Sequence, residues 1–222
     1  MNRRRILGAG ATAGLTTIAG CLTGLIADDS PDHVVLEPPA DEAQGDPSYP
    51  TYADQFPAFE LSDSLAETTV AVDELDDCHL STAFFASCPT ECIPLMNALS
   101  TVQANSLEMG IDDVRFLAIT FDPERDTAEA LREHAEMMNV DLEATNWHYL
   151  RPANADEAVE IVDERLGVPF EREDLGGGDY DFHHVTVTFL VNPDGYVERS
   201  YRGEDPETDR LTADLETVDD LW

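Results

Sequence analysis

The sequence predicts an α/β fold with a central mixed sheet flanked by helices. Short apolar runs typical of buried strands alternate with segments in which apolar residues recur at helical spacing. Near the carboxyl end, two apolar runs are separated by the turn sequence NPDG at 192–195, which predicts an antiparallel hairpin. Alternation of strands and helices favours parallel pairing and the hairpin adds antiparallel pairing, so the sheet should be mixed.

The predicted elements follow in order along the chain. Asp126, with Glu129 three residues later, is the predicted amino-terminal cap of the second helix. The predicted strands are 78–87, 113–121, 185–191 and 196–202, and the predicted helices are 89–107, 127–138 and 155–166. The stretch WHY at 147–149 is also typical of a strand.

Composition limits the partners that the protein can have. The chain has 222 residues, enough for one sizeable core, and a net charge of -35 in which every basic residue is arginine. Such a surface repels nucleic acid and anionic headgroups. An apolar content of 42% argues against disorder, so we expect a folded acidic domain of the kind found in halophiles, monomeric and loosened in dilute buffer.

The first residues are typical of an export signal. Arg3, Arg4 and Arg5 precede a glycine-interrupted apolar stretch, which resembles a twin-arginine signal. The sequence IAGC at 18–21 resembles a lipobox, in which Cys21 becomes the lipidated amino terminus. An uncleaved single-span anchor is the alternative, and both interpretations place the protein outside the cytoplasm, tethered to the membrane. We therefore divide the chain into a signal (1–21), an acidic proline-rich linker (22–52) and a folded domain (53–222).

Cys88 and Cys92 form the most informative motif. Cys88 lies where a predicted strand meets a predicted helix, and amide donors at a helix start favour the thiolate. A structural disulfide is common in exported proteins. However, positions i and i+4 of a helix have Cβ atoms about 5–6 Å apart, whereas a relaxed disulfide needs about 3.8 Å. Two thiolates at this spacing suit a soft ion such as copper or zinc.

A third ligand should come from a histidine. His183 and His184 enter the predicted hairpin strand after an acidic glycine-rich loop, and neighbouring strand residues point to opposite faces, so at most one should face the cysteines. Spacing alone does not choose between them. Packing or surface roles are the simpler interpretation of the remaining histidines and the third cysteine of the domain: His33, His79, His134, His148 and Cys78.

Three segments resemble the Sco/SenC family. They are FFASCPTEC at 84–92, ITFDPERDT at 119–127 and HVTVTFLVNPDG at 184–195, and the resemblance covers about residues 55–205. Two positions depart from the family pattern: Ile93 stands between Cys92 and Pro94, and His183 replaces an aspartate. Asp122, Arg125 and Asp126 of the second segment are expected to shape and cap a loop near the site.

The resemblance implies a thioredoxin-like fold and a copper chaperone that serves cytochrome c oxidase assembly. It selects His184 over His183, so that Cys88, Cys92 and His184 become the copper ligands. It also implies an oxidase subunit or another copper protein as the partner. The cysteine pair would bind copper, or reduce the partner's cysteines before copper is delivered.

Two other functions fit the cysteine pair. One is a metal-independent thiol-disulfide oxidoreductase of the thioredoxin or peroxiredoxin class, which would not need His184. The other is a copper- or redox-sensing lipoprotein, which would bind tightly without transfer.

Overall fold

The computed structural model describes residues 33–39 and 47–222, and within them the predicted mixed α/β architecture is confirmed. Seven strands form one mixed sheet and two more form a separate hairpin. The strands are β1 (Glu60–Asp63), β2 (Thr68–Ala71), β3 (Cys78–Phe84), β4 (Val114–Thr120), β5 (Trp147–Arg151), β6 (Phe170–Gly176), β7 (Asp179–His184), β8 (Val187–Val191) and β9 (Val197–Arg202).

The large sheet has the order β2-β1-β5-β4-β3-β8-β9. Its centre is the parallel trio β3, β4 and β5, and the strands on either side run antiparallel. Every residue of β3 is buried, as expected for a central strand covered on both faces. This explains why the apolar run of β3 is easy to recognise in the sequence.

Helices cover both faces of the sheet. The β3–β4 and β4–β5 crossovers run in the same direction, so the right-handed rule places their helices on one face. The other face carries residues 47–59 and the third helix, whose π-helical continuation is Val159–Arg165. The helices are α1 (Cys92–Met109), α2 (Ala128–Met137), α3 (Ala155–Ala158) and α4 (Thr208–Leu221).

Several sequence-based details need correction. The cap of α2 is Thr127, whose hydroxyl accepts from the Ala130 amide, because the Asp126 carboxylate is directed instead to Ala86 and Thr120. His183 and His184 end β7 rather than opening the next strand, which begins at Val187. The acidic glycine-rich loop is in fact the β6–β7 hairpin, hidden because both its faces are largely exposed. Strands β1 and β2 and helix α4 were not predicted at all.

Part of the segment assigned to the linker packs on the domain. Val34 and Leu36 are buried, and the amides of Val35 and Leu36 donate to the buried Glu198 carboxylate at 2.9–3.0 Å. The signal at 1–21, Cys21 and the linker residues 22–32 and 40–46 lie outside the described residues. Among the residues that are described, no helix combines the length and the apolar character needed to cross a membrane.

Candidate metal centre

Three side chains meet at the carboxyl end of the parallel strands. Cys88 lies in the loop after β3, Cys92 is the first residue of α1, and His184 is the last residue of β7. Their Sγ and imidazole nitrogen atoms all lie within 4.8 Å of one another, and Cys92 Sγ is 3.9 Å from His184 Nε2. The fold therefore brings together the three residues that the sequence selected.

Cys88 is not part of α1, because the helix begins four residues later at Cys92. The assumption that both cysteines sit on helical turns is therefore wrong, and the geometric argument against a disulfide weakens.

Hydrogen bonds near the start of α1 control the ionisation of Cys88. The Cys92 amide donates to Cys88 Sγ at 3.3 Å. Hydrogen bonds from the Cys92 side chain, the His184 side chain and backbone amides outweigh burial and lower the pKa of Cys88 to about 4.

Cys92 is the protonated member of the pair. Its pKa is raised, first because its thiol donates to Cys88 and second because the side chain is almost fully buried. Glu91 Oε2 lies 3.7 Å from Cys88 Sγ and opposes the thiolate, since two anions repel each other. The donors around Cys88 outnumber this exposed carboxylate, so a Cys88 thiolate with a Cys92 thiol is the state that the site favours.

The His184 ring is oriented for a metal ion. Its Nδ1 lies 3.2 Å from the Val185 carbonyl oxygen, which can only accept, so Nδ1 carries a proton and Nε2 is the ring nitrogen that faces the sulfurs. The half-buried ring packs against Phe85 and Phe121, with centroids 5.9 and 5.1 Å away. His183 points to the other face of β7, where it is exposed and contacts Glu173 at 2.9 Å.

The remaining histidines and Cys78 lie apart from this cluster. The His33 ring stacks on Tyr196, and His148 pairs with the buried Asp63. His134 packs on the rings of Phe84 and Tyr149. Burial lowers the pKa of His79 to about 3 and that of His134 to about 4, and it raises the pKa of Cys78 to about 12. His79, His134 and Cys78 are therefore neutral near pH 7.

The first turn of α1 accommodates Ile93, the additional residue between Cys92 and Pro94. Pro94 is the third residue of the helix, where the missing amide hydrogen has no intrahelical acceptor, so α1 still begins at Cys92. Ile93 is 37% exposed beside the site. The inserted residue therefore changes the surface around the cysteines and leaves the helix start intact.

Other residues near the site were missed by sequence reasoning. Tyr180 and Phe182 of β7 pack beside the cluster, and Tyr180 is bonded to the loop after β4. The alternation Tyr180, Phe182, His184 has the two-residue period of a strand and could have revealed β7. The glycines at 176–178, directly before this strand, favoured a loop instead and concealed it.

The donor set suits a soft metal ion. Two cysteine sulfurs and one imidazole are ligands that Cu(I) and Zn²⁺ accept. Three donors at about 2.3 Å from an ion in a trigonal arrangement lie about 4 Å apart, and the 3.9 Å between Cys92 and His184 matches this spacing. Cys88 and Cys92 are not bonded to each other in the structure, so both sulfurs can serve as ligands.

Comparison with known proteins gives a consistent result. A family model described as SCO1/SenC matches residues 49–219. The SCO1 protein homolog of Bacillus subtilis is 27% identical over 143 residues, covering 64% of this chain and 71% of the relative.

Two solved structures have a similar fold. BsSco, described as a member of the Sco family of cytochrome c oxidase assembly proteins with a disulfide switch, has a TM-score of 0.62 and 22% identity, covering 78% of this chain and 98% of that one. Copper-bound ScoI of Arabidopsis thaliana has a TM-score of 0.57 and 20% identity, covering 75% and 97%. With the sheet order above, these likenesses show the thioredoxin-like fold predicted from the sequence.

Proposed function

The chain belongs to the SCO1/SenC family, and on that premise we propose that it is a copper-binding chaperone for a cytochrome c oxidase subunit. Cys88, Cys92 and His184 would hold the ion. The observation that carries the proposal is the convergence of these three donors within 4.8 Å from two distant segments, residues 88–92 and the end of β7. The copper found in Arabidopsis ScoI and the oxidase assembly described for the family of BsSco support the choice of metal and partner.

The site is built to accept copper and to release it. Cys88 already carries the negative charge that a metal ligand needs, and Cys92 loses its proton when the ion binds. The two cysteines are buried, whereas His184 is only half-buried and Thr90 and Glu91 beside the sulfurs are exposed. A partner's ligands can therefore approach from the histidine side and replace the donors one at a time.

A second function, reduction of a disulfide in the partner, is favoured by the unequal cysteines. The Cys88 thiolate attacks one sulfur of the partner disulfide and releases the other as a thiolate. Cys92, after losing its proton, then attacks Cys88 Sγ and displaces the partner sulfur to which Cys88 is now bonded, so two electrons pass to the partner and a Cys88–Cys92 disulfide remains. The disulfide switch described for BsSco is consistent with this chemistry.

We also propose that lipid on Cys21 tethers the protein at the extracytoplasmic face of the membrane after twin-arginine-type export. Residue 33 meets the domain at the turn after β8, where the His33 carbonyl accepts from Asn192 at 2.8 Å. Strand β8 is antiparallel to β3, so this turn lies at the end of the sheet opposite Cys88. The twelve residues 22–33 span at most about 40 Å. This placement supports a tether that leaves the metal centre facing away from the membrane.

Copper stoichiometry with ligand variants tests the proposed function. The full chain, reduced and purified in molar salt, should bind one Cu(I), and Cys88→Ala, Cys92→Ala and His184→Ala should each weaken binding at least tenfold. His183→Ala is the matched control and should bind as the wild type does. If the wild type binds no Cu(I), or if His184→Ala binds it as tightly as the wild type does, a metal-independent thiol-disulfide oxidoreductase is the better interpretation.

A further inference from the structure

The β6–β7 hairpin, which carries His184, is held to the domain mainly through side chains. Among the described strands, β6 and β7 pair only with each other, and neither joins the seven-stranded sheet. At its base, the Val185 amide bonds back to Pro169, the residue before β6. No strand ladder therefore fixes the distance between His184 and the cysteines.

One loop contacts the hairpin through a compact polar cluster. This is the β4–α2 loop, residues 121–127. The Tyr180 hydroxyl donates to Asp122 Oδ1 at 2.8 Å, and Arg125 Nη1 donates to the Tyr180 carbonyl at 2.8 Å. The Arg125 guanidinium also lies 3.9 Å from the centroid of the Tyr180 ring and pairs with Asp122. Asp122 and Tyr180 are buried, so water competes little for these bonds.

The same loop also forms hydrogen bonds with the segment that leads to Cys88. Asp126 Oδ2 accepts from the Ala86 amide at 3.0 Å, and the Phe121 amide donates to the Phe84 carbonyl at 3.1 Å. Ala86 is two residues before Cys88. The β4–α2 loop is therefore bonded to the strand and loop that carry the first cysteine and to the hairpin that carries the histidine.

Phe121 of this loop fills the space between the two sides. Its ring contacts the rings of Phe85 and His184, with centroids 5.4 and 5.1 Å away. It also contacts Phe170 and Phe182 of the hairpin at 4.7 and 5.3 Å. Aromatic packing of this kind resists compression, and the polar cluster resists separation.

We propose that the β4–α2 loop sets the distance between His184 and the cysteine pair, and that Tyr180, Asp122 and Arg125 are positioning residues for the metal centre. None of the three belongs to the Cys88, Cys92 and His184 donor set. Without the Tyr180 hydroxyl, the hairpin can move away from the β4–α2 loop. The His184 imidazole then moves out of the metal centre, while both cysteine sulfurs stay in place. The inference rests on the proposed function only in taking copper as the ion.

Tyr180→Phe tests the inference, because it removes one hydroxyl and keeps the ring. Tyr201→Phe is the matched control: Tyr201 is also buried and donates to an aspartate, Asp214, at 2.7 Å, and it lies on β9 beside α4. In metal-free protein, amide exchange at residues 179–184 should rise about tenfold in Tyr180→Phe, as expected for the loss of one hydrogen bond to a carboxylate. It should be unchanged in the control.

Copper gives the second readout. Competition with a Cu(I) chelator should show an affinity about tenfold lower for Tyr180→Phe than for Tyr201→Phe. Unchanged hairpin exchange overturns the inference, and so does faster exchange with wild-type affinity. If the wild type itself binds no copper, the proposed function fails, and the inference is then decided by the His184 imidazole signals in metal-free NMR spectra. They change in Tyr180→Phe if the inference holds and coincide with those of the wild type if it does not.

Discussion

The two cysteines of the site are chemically different residues. Hydrogen bonds from Cys92 and His184 stabilise the Cys88 thiolate, while burial and the same contact with Cys88 keep Cys92 protonated. Cys88 is therefore the nucleophile of the pair and the first sulfur ready for a metal ion. This difference belongs to the side chains themselves and can be measured without metal.

Alkylation should reveal the difference in metal-free, reduced protein. Because the pKa of Cys88 is lowered to about 4, its reaction rate with iodoacetamide should be nearly constant from about pH 6 to pH 8, while Cys78 and Cys92 react slowly throughout. Peptide mapping by mass spectrometry follows each site.

Cys92→Ala is the control for this measurement. It removes the largest cause of the lowered pKa, so the reactivity of Cys88 should then increase with pH. A wild-type Cys88 rate that rises about tenfold per pH unit from pH 6 to 8 would contradict the account, because it would mean an ordinary thiol.

Sequence reasoning reached the ligands and the loop residues Asp122, Arg125 and Asp126 that support them, but not Tyr180 on the hairpin side. Cys88 and Cys92 stand out because cysteines are scarce in the chain, and resemblance separated His184 from His183. Tyr180 gave no such signal, because its bond to Asp122 joins residues 58 positions apart and depends on how the hairpin folds over the β4–α2 loop. Contacts between distant segments are the part that a single sequence hides.

At the scale of elements, predictability follows burial. Strands β3 and β4 were recognisable because they are covered on both faces and buried along nearly their whole length. β6 and β7 were missed because most of their residues are exposed and many are acidic. Strands β1 and β2 have four residues each, too few to establish a pattern.

The connection after α3 is fixed by a close backbone approach at Gly167. A Cβ on this residue would lie 2.0 Å from the Ser48 carbonyl oxygen, and the φ of +68° already favours glycine. Gly167→Ala should therefore lower the free energy of unfolding by about 3 kcal/mol. Urea denaturation in molar salt measures this loss.

Gly110→Ala is the matched control, since Gly110 has a similar φ of +78° and open space around its Cβ position. It should cost only the left-handed strain, about 1 kcal/mol. Equal losses for the two variants would show that residues 47–49 do not pack against Gly167 as described.

Charge dominates the behaviour of the whole molecule. The chain has a net charge of -35, so its carboxylates repel one another. Molar salt screens this repulsion, because it reduces the Debye length to about 3 Å. We therefore propose that the protein is adapted to concentrated salt. The midpoint of thermal unfolding should rise by on the order of 10 °C between 0.1 M and 2 M NaCl.

The same measurement at about pH 4, near the ordinary pKa of Asp and Glu, should show a smaller rise because fewer carboxylates are charged. A midpoint that is flat or falls with salt at pH 7 would contradict the proposed adaptation.

The central claim is that this fold assembles one copper site from two cysteines and a single histidine. X-ray absorption of the Cu(I)-loaded full chain tests it most directly. We predict two sulfur ligands and one nitrogen ligand in the wild type and in His183→Ala, and loss of the nitrogen alone in His184→Ala. A wild-type spectrum with sulfur ligands only, or one unchanged by His184→Ala, would contradict the account.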